Sequence, residues 1–559
     1  MKRACKQCGT EFDITDDDLV FYDKVSPIFN GKKELIPAPT LCPSCRSQRR
    51  MMWRNERSLY MRPCDFCKKM RVSMLKPNAP YKAYCRECFL SDAWNAEDYG
   101  RDYDFSLTLF ENFDALLRQT PLMQLYQTGQ NENCDYMNFA GPECRNCYLI
   151  FNSGRDEDCY YSRGFIESKD CCDMLIGSGD ELCYECINCS DCYRLFFSQN
   201  CFHCSDSAFL FNCRRCKHCF GCTNLVEKEY YLFNKPCSEA DYREVMSQLG
   251  SQKFRMSCEE KMRKMKLECI HRASSNINTE GCTGDYTVES KNCIECYEVK
   301  GGEDCKWLTC SKLCKDSYDL FGYGYDSQLL YENCGVGRSS NVTFSFASDL
   351  ASDSYFSVYC ENVKHCFACV SLRHKEYCIL NKQYSKEDYE SLVQKIVEQM
   401  QMTGLWGEFF PAELSPFCYN ETVAQEYFPL TKSEVLQRGW RWNGEESLRP
   451  NVEKIIQTKD LPDSIDDVPD DILNWAITCE STGMPFRITK AELDFYRKMV
   501  LPIPRFHPDE RHRARMALSN PRHLYKRACS KCHKTINTSY APGRPEIVYC
   551  EECYLETVY

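Results

Sequence analysis

The stretch Cys183-Tyr-Glu-Cys186-Ile-Asn-Cys189-Ser-Asp-Cys192-Tyr-Arg-Leu-Phe-Phe197 decides how the middle of this chain is read. A second run, Cys213-x2-Cys216-x2-Cys219-x2-Cys222, follows it. Cys171, Cys192 and Cys213 stand 21 apart, as do Cys183 and Cys204, and Cys201 and Cys222. Short apolar stretches such as Tyr148-Leu-Ile-Phe151 and Ala208-Phe-Leu-Phe211 alternate with Asn, Asp, Ser and Gly. Recurrence this regular does not suit isolated zinc knuckles. A coil of about 20 residues, with short strands and polar corners, is the pattern of a parallel β-solenoid. It predicts that residue i stacks on i+21, with cysteine ladders packing a narrow interior.

Working outward, the chain has 559 residues and 44 cysteines, with 43% hydrophobic residues and a net charge of −11. That is enough apolar material for several packed cores and excludes disorder as the default. Mean hydropathy is −0.54, and no 18-residue apolar run predicts a membrane span. The start, Met1-Lys-Arg-Ala-Cys5, has no apolar signal region, so a cytoplasmic setting with reduced thiols is expected. Thiols there ligate metal or pack as small hydrophobes rather than forming a disulfide net.

Twelve cysteines fall into three tetrads: Cys5, Cys8, Cys42 and Cys45; Cys64, Cys67, Cys85 and Cys88; and Cys529, Cys532, Cys550 and Cys553. Paired CxxC knuckles can place four thiolates tetrahedrally about one Zn²⁺, so about three zinc sites are expected. The second and third tetrads share the spacing CxxC-x17-CxxC; the first has a longer spacer, x33. Thirty of the other cysteines lie between Cys134 and Cys378.

The chain repeats itself twice. Residues 216–249 and 363–396 align at offset 147 with 14 of 34 identities, including Lys217-His-Cys-Phe220 with Lys364-His-Cys-Phe367. Each copy passes into a helical pattern opened by Ser238 or Ser385, with Asp241 or Asp388 three residues on, a capping signal. Residues 41–90 and 506–555 align at offset 465 with 19 of 50 identities. The match extends upstream at offset 474, where Cys5 keeps its counterpart Cys479 but Cys8 becomes Thr482; at offset 465 Cys42 becomes His507 and Cys45 becomes Glu510. Cys479, His507 and Glu510 are either an eroded ribbon held by packing or a residual metal site.

The expected architecture is therefore β-rich: a parallel β-solenoid in two duplicated halves with capping helices, flanked by duplicated zinc-ribbon modules at both termini. Its segments are a double ribbon over 1–100, a linker helix over 101–130, solenoid halves with capping helices over 131–275 and 276–402, a mixed linker over 403–478, and a C-terminal ribbon over 479–559.

Charge is uneven. Residues 42–71 and 505–534 each hold nine Lys/Arg and two Asp/Glu, +7 apiece, leaving −25 for the other 499 residues. Arg46, Arg49, Arg50, Arg54 and Arg57 follow Cys45 at helical spacings, and Arg511 and Arg515 answer Arg46 and Arg50 in the second copy. Such a face can bind nucleic-acid phosphates or a protein partner. It can equally salt-bridge to the acidic body of the same chain.

Cys5-x2-Cys8-Gly9-x2-Phe12, Phe21-Tyr22 and Cys42-Pro-x-Cys45-Arg46-x3-Arg50 resemble a small family of zinc-ribbon domains with no assigned activity. The longer order is a ribbon, a cysteine-rich repeat with KHCFxC and KEYxxxNK, the motif Pro416-Phe-Cys-Tyr-Asn-Glu421, and a second ribbon. It resembles large cysteine-rich proteins of candidate-phylum bacteria with reduced genomes. The resemblance implies an architecture and an intracellular setting and supplies no reaction.

No Walker A, GxGxxG, HExxH or GxSxG motif is present, so no catalytic residue and no small-molecule substrate are assigned. The expectation is a non-enzymatic zinc-binding scaffold or adaptor with protein or nucleic-acid partners. The alternative is an iron–sulfur or thiol redox protein that uses the CxxCxxCxxC runs, which depart from the ferredoxin pattern in their last gap.

Overall fold

In a computed structural model the chain is described over residues 1–444 and 452–558; residues 445–451, within the expected linker 403–478, and Tyr559 lie outside the described residues. It divides into two compact units, one joining 1–126 to 274–443 and the other joining 127–273 to 444–559. The N-terminal tetrads thus belong with the second cysteine-rich half, and the C-terminal tetrad with the first. Each unit is strand-rich with parallel sheets. No helix among the described residues is long and apolar enough to cross a membrane.

In the unit built on 127–273, strands Arg163–Ile166, Leu175–Ser178 and Ile187–Ser190 pair in parallel, with Leu175 opposite both Arg163 and Ile187. Tyr193 lies opposite Ser205, Ser205 opposite Lys217, and Lys217 opposite Glu229. From Arg145 onward every step is 12 residues, not the expected 21; the steps before it, such as Glu132 to Arg145, are 13.

The backbone explains this spacing. Every third residue from Asn146 to Phe233 has a positive φ, between 45° and 72°. The chain therefore turns a left-handed corner every three residues, and four corners bring it to its parallel neighbour. Left-handed φ disfavours most L-residues, and Asn and Asp tolerate it best. They hold many of these corners, among them Asn146, Asn152, Asp158, Asp170, Asn188, Asp191 and Asn200.

The residue after a corner is buried throughout Asp180–Cys222. Cys147, Cys159, Cys171 and Cys183 form one column at 12-residue spacing, and Cys189, Cys201 and Cys213 form another. Buried positions recur every three residues, so any two inner cysteines from Cys144 to Cys222 stand a multiple of three apart. The 21-residue spacing is seven corners, an alias of the short repeat.

Inner positions also carry backbone polar groups that need partners. Cys159 Sγ lies 3.2 Å from the Glu157 carbonyl and 3.5 Å from that of Ser168. Cys171 repeats the pattern at 3.2 and 3.4 Å with Lys169 and Asp180. Serine does the same work: Ser162 Oγ accepts the Met174 N–H at 3.0 Å, and Ser198 Oγ accepts that of Leu210 at 2.9 Å. A small side chain that both donates and accepts suits each inner position, which accounts for the cysteine and serine content.

The unit built on 274–443 follows the same rule from Cys296–Lys300 to Arg373–Ile379, with Tyr297 opposite Thr309 and Ser340 opposite Ser352. One step differs: Tyr318 lies opposite Tyr331, 13 residues on. The extra residue falls in the corner Gly322-Tyr-Gly-Tyr-Asp326, where the spacing of positive-φ residues widens from three to four. Serine replaces cysteine over much of this interior; Ser339 Oγ donates to the Gly337 carbonyl at 2.7 Å and accepts the Ala351 N–H at 3.0 Å.

Each parallel ladder ends in a short antiparallel turn and a capped helix. Glu239–Ser247 is capped by Ser238, whose Oγ accepts the Asp241 N–H at 3.2 Å, and Lys386–Met402 by Ser385, which accepts that of Asp388 at 3.1 Å. On the outside, successive steps alternate in charge. Glu132 faces Arg145 at 3.3 Å and Glu157 faces Lys169 at 3.3 Å; in the other unit Glu280 faces Lys291 at 3.4 Å and Glu303 faces Lys315 at 3.1 Å. Each exposed pair contributes little, but a slip by one step would set like charges together.

Candidate metal centres and the buried arginines

Each tetrad starts in a tight knuckle. The Cys5 N–H donates to the Thr10 carbonyl at 3.0 Å, and Gly9, at φ 74°, donates back to the Cys5 carbonyl at 2.9 Å. Cys64 with Lys68 at φ 62° and Cys529 with His533 at φ 62° repeat this turn. The second knuckle of each tetrad opens a helix: Cys42 and Cys85 stand at the N-caps of Pro43–Met51 and Arg86–Phe89, and Cys550 precedes Glu551–Val558.

In all three tetrads the four sulfurs lie within 4.8 Å of one another. Cys8 and Cys42 are 3.7 Å apart, Cys67 and Cys85 3.9 Å, and Cys532 and Cys550 3.7 Å. A tetrahedron with metal–sulfur bonds of about 2.3 Å has edges of about 3.8 Å, so the donor sets fit one four-coordinate ion each. Backbone N–H groups point at the sulfurs, from Cys85 to Cys64 Sγ at 3.2 Å and from Cys550 to Cys529 Sγ at 3.3 Å.

Within each tetrad the mutual contacts, together with burial, push the thiols apart, raising Cys45, Cys85 and Cys553 and favouring the thiolate of a neighbour. The Cys45 thiol, as a hydrogen-bond partner, helps bring Cys42 down to about 5. The Lys69 N–H leads in bringing Cys67 down to about 7. Against the cost of burial, the N–H groups of Cys532, Cys550 and Lys531 bring Cys529 to about 6.

The fourth knuckle keeps its turn without its ligands. The Gly483 N–H donates to the Cys479 carbonyl at 2.9 Å with φ 70°, as in the three intact knuckles. His507 instead caps helix Pro508–Leu518, its Nδ1 accepting the Asp509 N–H at 3.2 Å, and Glu510 pairs with Arg513. Cys479, His507 and Glu510 are not among the clustered donor groups found in the described residues. The inner CxxCxxCxxC runs are not among them either; their thiols meet backbone carbonyls, as Cys183 Sγ does with Glu181 at 3.3 Å and Cys192 with Ser190 at 3.3 Å.

The expected arginine face lies inside the N-terminal unit. Arg46 and Arg50 are buried, and both reach Asp319, at 2.8 and 3.0 Å; Arg50 also reaches Glu332 at 3.0 Å. Arg49 bridges Glu332 at 3.0 Å and Glu408 at 2.8 Å. Arg54 is buried beside Glu56 at 2.7 Å and over the Phe321 ring, and Arg57 is half-buried. In the other unit Arg511 reaches Asp173 at 2.5 Å and Glu492 at 3.3 Å, while Arg515 reaches Asp173 at 2.8 Å and Glu185 at 3.6 Å. One arrangement is thus built twice: two helix arginines grip a carboxylate pair one ladder step apart. The carboxylates escape a reading of the sequence, although Glu185 and Glu332 stand at the 147-residue offset of the ladder duplication.

No protein-family model and no curated protein matches this chain. Among solved structures, one described as that of an acetyltransferase from Desulfovibrio desulfuricans G20 is 11% identical over 42% of this chain, with a TM-score of 0.10. The chain spans 63% of the length of that structure, and at this score the likeness carries no argument.

Proposed function

We propose that the chain is a non-enzymatic, zinc-stapled scaffold: two β-solenoid halves of 12-residue coils, each carrying a zinc-ribbon module on its flank, that displays surfaces to protein or nucleic-acid partners in the cytoplasm. The observation that carries this reading is the convergence of three four-cysteine groups, each with its sulfurs within 4.8 Å. Four thiolates and no open position are the donor set of a structural zinc site, which contributes folding energy rather than chemistry. The prevailing 12-residue parallel register, with its inner columns of cysteine and serine, supports the solenoid. The same features support placing the chain with the cysteine-rich ribbon proteins that its motifs resemble.

Metal analysis of the purified protein tests this. The expected result is three zinc ions per chain, falling to two in Cys8→Ser and in Cys532→Ser. Iron with labile sulfide, or a metal content that neither substitution changes, overturns it in favour of redox or metal-handling chemistry at other thiols.

A further inference from the structure

The two duplicated ribbons share a metal site and differ on their surfaces. In the N-terminal one, strands Tyr60–Pro63 and Met70–Ser73 form a hairpin in which Met61 faces Val72 and Pro63 faces Met70. Met61, Phe66 and Met70 are 48%, 42% and 52% exposed, heavy exposure for residues of this size within ten positions. Phe66 meets the edge of Tyr84 with ring centres 5.4 Å apart. Lys68 and Lys69 follow it, and the Asp65 N–H bond to the Ala83 carbonyl at 2.9 Å brings Lys82 beside the hairpin. All three are exposed, Lys68 donating to the Asp65 carbonyl and Lys82 lying 4.8 Å over the Tyr99 ring, and among the described residues none of them ion-pairs with a carboxylate.

The C-terminal ribbon provides the control. At the positions of Met61, Phe66, Met70 and Lys82 it carries Lys526, Lys531, Thr535 and Ile547. Two of its lysines are answered from within the ribbon, Lys531 by Glu556 at 3.1 Å and Lys534 by Glu552 at 3.8 Å, while Lys526 is exposed. So the lysine at the position of Phe66 is matched by a carboxylate in one ribbon, and the other sets a half-exposed aromatic ring there beside lysines with no carboxylate partner.

We infer that the hairpin around Phe66 is a binding surface for single-stranded nucleic acid, with a base stacked on Phe66 and phosphates on Lys68, Lys69 and Lys82. Unpaired cations flanking an exposed π-face are what such strands need, since every base offers a face to stack and every linkage a charge. This names a partner for the scaffold reading and rests on its metal-loaded ribbon. It also moves the contact away from Arg46 and Arg50, whose guanidinium groups are buried in ion pairs.

The test is fluorescence anisotropy of a labelled 12-nucleotide single-stranded RNA, about the span of one small binding module, titrated with the full-length protein whose metal content is measured in the same samples. Binding is expected to weaken with salt at a log–log slope of about 2 for three phosphate contacts. Phe66→Ala should weaken it at least about five-fold, Lys68→Glu with Lys69→Glu should abolish it, and Lys531→Ala with Lys534→Ala should leave it unchanged. All these side chains are exposed, so the variants keep their fold. Three metals per chain with no binding at low salt, equal loss in the C-terminal variant, or equal affinity for duplex overturns this inference and leaves the scaffold reading standing. Fewer than three metals with RNA binding retained counts against the scaffold reading and supports the surface.

Discussion

Arg46 holds Asp319 through two nitrogens, its Nε 3.0 Å and its Nη2 2.8 Å from the same carboxylate oxygen, with both residues shut off from solvent. Arg50 takes the other oxygen and continues to Glu332. Removing one partner of such a group leaves a buried charge unmatched, at a cost of about 3–5 kcal/mol, whereas an apolar pair of similar volume can restore most of it. Arg46→Ala should therefore lower the denaturant midpoint of the unit containing 274–443 sharply. Arg46→Leu combined with Asp319→Leu should recover much of that loss. Equal destabilisation by the single and double changes would show that the loss does not come from an unmatched buried charge.

The two copies of this grip differ in what anchors their helix. Helix Pro43–Met51 starts on Cys42, a member of a tetrad, while Pro508–Leu518 starts on His507, which caps it by a hydrogen bond. Metal binding is folding energy where ligands order a helix. A chelator should thus speed amide exchange in residues 43–51 by at least about ten-fold, and leave residues 508–518 protected. Hydrogen-exchange mass spectrometry on one sample reads both segments, and equal change in the two would sink the distinction.

The tetrads are legible in the sequence because CxxC spacing alone sets the knuckle, and Cys64, Cys67, Cys85 and Cys88 need only short chain segments to meet. The parallel ladder is legible as a repeat, but not its period. With inner positions every three residues, Cys171 and Cys192 are related by seven corners, and nothing local reports that four corners complete a step. The φ values do, and the Asn and Asp residues at the corners are their trace in the sequence. The arginines are visible as a cluster, yet their partners are not: Arg46 and Asp319 are 273 residues apart, and pairing over that distance is decided by the tertiary fold.

Cys186 tests why the interior is made of cysteine. Its Sγ lies 3.5 Å from the Tyr184 carbonyl and 3.3 Å from that of Leu195. Cys186→Ala removes the donor at a cost of about 0.5–1.5 kcal/mol and strands neither carbonyl, since that of Tyr184 accepts the Phe197 N–H at 2.9 Å and that of Leu195 the Tyr184 N–H at 3.0 Å. Cys186→Ser keeps the donor in a smaller volume and should cost less than the alanine. Urea unfolding of the three proteins ranks them, and alanine matching or exceeding serine would show that the column is merely apolar filling.

Asp180 stands in the same interior, its Oδ1 accepting the Cys192 N–H at 3.0 Å and its Oδ2 without a hydrogen-bond partner. Burial holds its carboxyl well above the ordinary value of 3.8, so the folded chain keeps a proton that the unfolded chain releases. The folded state then binds more protons than the unfolded one above about pH 4, and stability falls as pH rises from there toward the folded pKa, by up to about 1.4 kcal/mol per pH unit. Asp180→Asn keeps the carbonyl that accepts the Cys192 N–H and has no proton to lose. Its advantage over the parent should be small near pH 4 and grow toward pH 8, read as the difference in unfolding free energy between the two proteins at each pH. A difference that stays constant across that range would mean that Asp180 is ionised inside the fold, matched there by a positive charge.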